Sequence, residues 1–181
     1  MGTSEFPSHE LQVLQTLDAL IWSPAFAAYV APVVERVEHS LVQDPSAVEK
    51  WEALPISLFG NKLPPEIQSS WVFILRAQTA TGFERHPNSH QRVTSYRGTG
   101  DFQVGFPETS SNHLVSDPRA ALERRWVSIP VNVWHQPVVQ ESNWVVVSFH
   151  TVPAKDLIEE RPDAKDSGTT QQRKYSDVGG V

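Results

Sequence analysis

The strongest constraint on this chain is its punctuation. From residue 71 to residue 152, short runs rich in β-branched and aromatic residues alternate with Gly and Pro breaks. WVFILRAQ (71–78), RVTSYRG (92–98), DFQVGF (101–106), RWVSIPV (125–131) and NWVVVSFHTV (143–152) each read as a strand. Gly98-Thr99-Gly100 is a turn signal between two of them. Short strands at regular spacing predict an all-β barrel or sandwich.

The N-terminal part reads differently. Leu11, Leu14, Leu17 and Leu20 suit one amphipathic helix or an extended lead-in. Ser23-Pro24 resembles an N-cap followed by proline, so a short helix is expected over 24–29, then a strand over 33–37. AVEKWEAL (47–54) suggests a helical turn or two, as does the stretch 119–125. MGTSEF (1–6) reads as vector-derived, 7–162 as a single domain, and 163–181 as a flexible polar tail with too little bulk to offset its ordering entropy.

Composition removes several function classes. The net charge of −6 and a pI near 5.6 argue against nucleic-acid or anionic-membrane binding, which want a basic face. With no cysteine, disulfides, thiolate metal sites and Cys nucleophiles are excluded. The longest apolar runs, such as WVFIL and WVVV, fall far short of the about 20 residues that span a bilayer. A cytoplasmic protein acting on a small molecule is the expectation.

Two polar clusters stand out: ERHPNSHQ (84–91) and NVWHQP (132–137). Strand alternation puts Glu84 and His86 on one face and Arg85 on the other, where an outward salt bridge is its expected role. Pro87 turns the chain, so Gln91 can converge with Glu84 and His86 at one end of a hairpin. His90 is expected in a surface loop, His150 elsewhere than the pocket, and Glu159-Glu160 on a solvated face.

The spacing of these clusters resembles that of the cupins, small β-barrels of jelly-roll type. Glu84, His86, Gln91 and Gly98 fit the first cupin motif; Pro130, Asn132 and His135 fit the second, with Asn in a glycine slot. Within the cupins the chain resembles the ureidoglycolate lyases, through SPAFAAYVAPVVE (23–35), LRAQ (75–78), FERHP (83–87), NVWHQP (132–137) and DLIEE (156–160). The resemblance implies a cupin-type β-barrel with a few short helices, mainly N-terminal, commonly a homodimer. It also implies a lyase that eliminates urea from (S)-ureidoglycolate to give glyoxylate in purine breakdown.

That chemistry needs a base, an acid and a cation for the substrate carboxylate. Glu84, His86 and His135 are the candidate catalytic residues; Arg76, Gln91, Asn132 and Trp134 are the candidate substrate-binding ones. A divalent metal ion is the one cofactor to consider, with His86, His135 and Gln91 as ligands, although a Gln carbonyl is a poor ligand for most transition metals. Two alternatives stay open: a diverged isomerase, cyclase or dehydratase acting on another small metabolite, and a non-catalytic small-molecule-binding cupin.

Overall fold

A computed structural model describes residues 6–162 and 170–174. Two helices, α1 (Ser8–Ile21) and α2 (Pro24–Gln43), precede ten strands. These are β1 (Glu49–Leu54), β2 (Ser69–Leu75), β3 (Gln91–Arg97), β4 (Thr99–Val104), β5 (Ser110–Val115), β6 (Trp126–Ile129), β7 (His135–Val139), β8 (Trp144–His150), β9 (Ile158–Pro162) and β10 (Thr170–Lys174). The strands form a five-stranded sheet in the order β1-β2-β8-β3-β6, a three-stranded sheet β5-β4-β7 and the pair β10-β9. Every pairing is antiparallel. This is the all-β barrel class the punctuation predicts.

The central strand β8 explains the layering. WVVVSFH is buried along its whole length because both its faces are covered. Val145, Val147 and Phe149 join Val72, Ile74 and the helices in one hydrophobic cluster. Trp144 and Val146, of opposite parity, join Phe73, Leu75, Val93 and Phe102 in a second cluster between the two sheets. Odd and even residues thus serve two cores, and the second core encloses the interior where the polar clusters meet.

The helices depart from the expectation. Ser23 does cap α2, accepting from the Phe26 amide at 3.2 Å with Pro24 at the first helical position. The helix then runs on to Gln43 through Pro32, so the strand expected over 33–37 is absent. Phe26, Val30, Val33, Val34, Val37 and Leu41 are buried at helical spacing against the sheet, and that packing overrides the strand preference of the valines. The reverse holds for 47–54. Its helix-favouring composition forms β1, because Trp51 and Leu54 are buried and Trp51 pairs with Phe73.

Strands β5, β7, β9 and β10 were not expected, and 122–124 makes only a single 3₁₀ turn. β10 lies in the stretch read as a polar tail; 163–169 and 175–181 lie outside the described residues. No single helix among the described residues is long and apolar enough to cross a membrane; α1 and α2 pass that test only as a pair bent by 73°.

Candidate metal centre

The two clusters do meet. The segment after β2 runs antiparallel beside β7, and Glu84 and His135 exchange both backbone hydrogen bonds at 2.8 Å. His86 follows two residues on, and its carbonyl accepts from the Asn132 amide at 2.9 Å. The turn leading into β7 therefore hangs directly on the first cluster. Asn132 has φ 68, a left-handed conformation that asparagine tolerates better than most residues, which is what the glycine slot asks of it.

Glu84, His86 and His135 are all buried, and one donor atom from each lies within 4.8 Å of the other two. The His86 and His135 rings stand 5.5 Å apart, centroid to centroid. Each imidazole is held from behind. His86 Nδ1 lies 2.9 Å from the Ile158 carbonyl and His135 Nδ1 lies 3.0 Å from the Val133 carbonyl. A carbonyl only accepts, so both rings carry their proton on Nδ1 and turn Nε2 into the site. This is the arrangement by which proteins orient metal-binding histidines.

The site has an electrostatic demand built in. Among the described residues His135 Nε2 makes no hydrogen bond, and it faces Glu84 Oε1 at 3.5 Å. Two acceptors directed at each other repel unless a proton or a metal cation sits between them. Burial alone would push the Glu84 carboxyl up, but a proton on the facing His135 nitrogen, where present, and the permanent charge of the Arg161 guanidinium at 2.7 Å outweigh it and hold the carboxyl well below its ordinary value. Burial lowers His86 from an ordinary 6.5 to about 4, with Glu84 opposing and His135 adding to the fall. A neutral imidazole is the ligand form, so the donor set of two imidazoles and one carboxylate fits a divalent ion.

A small chamber inside the barrel adjoins the triad at Glu84. Glu84, Gln91, Glu49 and Ser148 form its polar end; Phe73, Leu75, Val93, Phe102, Pro137 and Val146 wall the rest. Its free volume is about 20 Å³, close to the about 10–15 Å³ minimum for a single water. Gln91 is buried and lines the chamber with Glu84, and among the described residues its Oε1 has no hydrogen-bond partner.

Other expected site residues lie elsewhere. The Arg76 guanidinium donates to the carbonyls of Leu41, Asp44 and Ala47, at 2.7, 2.9 and 2.7 Å, and closes the end of α2 rather than a substrate site. Asn132 is exposed and serves as the turn. Trp134 lies under the Arg85 guanidinium, 4.6 Å from its carbon, outside the residues lining the chamber. Arg85 makes its ion pair, with Glu160 at 2.7 Å.

Four residues correct the sequence reading. Glu159 and Glu160 are buried rather than solvated. His90 is half-buried, with Nε2 2.7 Å from Ser128 Oγ. His150 points inward, edge-on to His86 at 4.9 Å, between the hydroxyls of Ser89 and Ser148. Strand parity signals that position, since His150 shares a face with Trp144, Val146 and Ser148. Arg161 was missed altogether; it binds Glu84 Oε2 at 2.7 Å.

No protein-family model matches the chain, and no curated protein matches it. Solved structures give partial likenesses. Coconut allergen cocosin is 16% identical with a TM-score of 0.48, over 64% of this chain and 29% of that one. An oxalate oxidase in complex with the substrate analogue glycolate is 10% identical with a TM-score of 0.45, over 60% of this chain and 54% of that one. An oxalate decarboxylase of Lactobacillus farciminis is 12% identical with a TM-score of 0.44, over 59% of this chain and 29% of that one. The likeness thus spans 29% to 54% of the length of those proteins, and the fold is assigned from this chain's own strand pairing.

Proposed function

We propose that this protein is a cupin-type enzyme that uses a divalent metal ion, held by Glu84, His86 and His135, to act on a small organic molecule. One observation carries the reading: three buried donor atoms converge within 4.8 Å, with both imidazoles fixed at Nδ1. Two imidazoles and a carboxylate suit Fe(II) with open positions, and also Zn(II). When bound, such an ion supplies Lewis-acid chemistry. The chain's own residues orient the donors, keep Glu84 ionised and exclude bulk water behind the aromatic and aliphatic wall. Gln91 Oε1 offers an acceptor inside the chamber, whose about 20 Å³ takes a single water, so a substrate must displace part of the wall to reach it.

The finer reading, elimination of urea from (S)-ureidoglycolate, needs a cation for the substrate carboxylate. Arg76 is committed to backbone carbonyls and Arg161 to carboxylates. None of the residues lining the chamber is basic. The bound ion would then be the cation that takes the carboxylate, and the diverged enzyme acting on a less anionic substrate stands as the second reading.

Metal-stripped protein reloaded with Fe(II), Mn(II) or Zn(II) tests the proposal. The assays are glyoxylate release from ureidoglycolate and, by mass spectrometry, conversion of uncharged small hydroxy and carbonyl compounds. Turnover that needs the ion and vanishes in His135→Ala is expected. Ion-independent turnover contradicts the reading, and ligand uptake without turnover points to the binding protein instead.

A further inference from the structure

The strand that closes the site also holds its ligands. Glu160 and Arg85 exchange backbone hydrogen bonds at 2.9 and 3.0 Å, which clips β9 against the ligand-bearing segment. From that register Ile158 presents its carbonyl to His86 Nδ1. Three residues along, Arg161 presents its guanidinium to Glu84.

Arg161 has little freedom to do otherwise. Nη1 donates to the Thr81 carbonyl at 2.7 Å, Nε to Glu159 Oε1 at 2.5 Å, and Nη2 to Glu84 Oε2 at 2.7 Å with Glu49 Oε1 at 3.3 Å. The planar fork is thus fixed from several directions, a geometry a lysine cannot copy. Glu84 is divided by it: Oε2 is committed to Arg161, while Oε1 faces His135 Nε2.

We propose that Arg161 is the positioning residue of this centre, holding Glu84 so that only Oε1 is offered to the ion. The inference rests on the metal-centre reading above. A one-oxygen carboxylate occupies a single coordination position, whereas a two-oxygen one takes a second position that substrate or water would otherwise use. Three carboxylates share this one guanidinium, so the cluster keeps the negative charge that a divalent cation requires.

The test is Co(II) titration of the full chain, read by Co(II) affinity and by the visible d–d spectrum, which reports coordination number and donor set. Arg161→Gln is expected to lose about 10- to 100-fold in affinity, the usual effect of removing an outer partner, and to shift the spectrum. Arg161→Lys keeps the charge without the fork, so it recovers part of the affinity but not the spectrum. Wild-type affinity and spectrum in folded Arg161→Gln overturn the proposal. Should that variant fail to fold, an unchanged spectrum in Arg161→Lys overturns it equally. If the wild-type chain shows no Co(II) spectrum that His135→Ala abolishes, the metal-centre reading itself has failed.

Discussion

Glu84 and His86 lie two residues apart on an extended segment, and that spacing alone was enough to place both carboxylate and imidazole on one face. Their meeting with His135 was legible only through the resemblance to the two cupin motifs, because no local feature of either cluster specifies its pairing with the other. Arg161 was not legible: a basic residue after an acidic run looks like ordinary surface until β9 is known to cross the site. Substituting His135→Ala or Glu84→Gln is expected to cut divalent-metal affinity at least 100-fold, measured by competition with a chromophoric chelator, with the fold kept. Arg76→Ala is expected to leave metal affinity unchanged but to lose about 2 kcal/mol or more of stability, since its charged hydrogen bonds close α2. Acid should also weaken the metal-free protein. His86 stays neutral in the fold down to about pH 4, while the unfolded chain takes up that proton near 6.5. The unfolded state therefore binds more protons in that window, so stability is full above pH 6.5 and falls as pH drops towards 4. Urea midpoints at pH 7.5 and pH 5 check this; His86→Gln should reduce the difference without abolishing it, because His150, which burial holds well below its ordinary value, adds a loss of the same sign.

The elements show where composition misleads. The valines of α2 favour a strand and the EKWEAL of β1 favours a helix, yet each segment takes the form its packing surface requires. The strands flanking the site were read well because β8 carries a dense apolar run and β3 alternates up to Gly98. β5, β7 and β9 were missed because their sequences are polar or proline-containing. α1 is joined to the barrel by a buried ion pair: Arg92 Nε and Nη2 donate to the two Glu10 oxygens at 2.7 Å each, and Ser128 adds 2.6 Å. Arg92 is only 3% exposed. Glu10→Ala would strand that charge, and breaking a buried pair in this way costs about 3–5 kcal/mol. Thermal unfolding should show a large loss for Glu10→Ala and substantial recovery in the Glu10→Ala/Arg92→Met double variant.

At the scale of the whole molecule, two cores back onto one sheet, and the inner one leaves a small space beside Glu84. Packing there is tight enough to need Gly100: a Cβ at that position would stand 2.2 Å from the Trp144 ring. The barrel thus supplies a buried interior, while β9 and the turn at Asn132 bring the donors to face one another. The central claim is that this interior is built to hold one divalent ion. Equilibrium dialysis of the metal-free protein against Fe(II), Mn(II) and Zn(II), with the bound metal quantified per chain, tests it most directly. The account predicts one tightly held ion per chain, lost in the His86→Ala/His135→Ala variant; no uptake, or equal uptake by that variant, would contradict it.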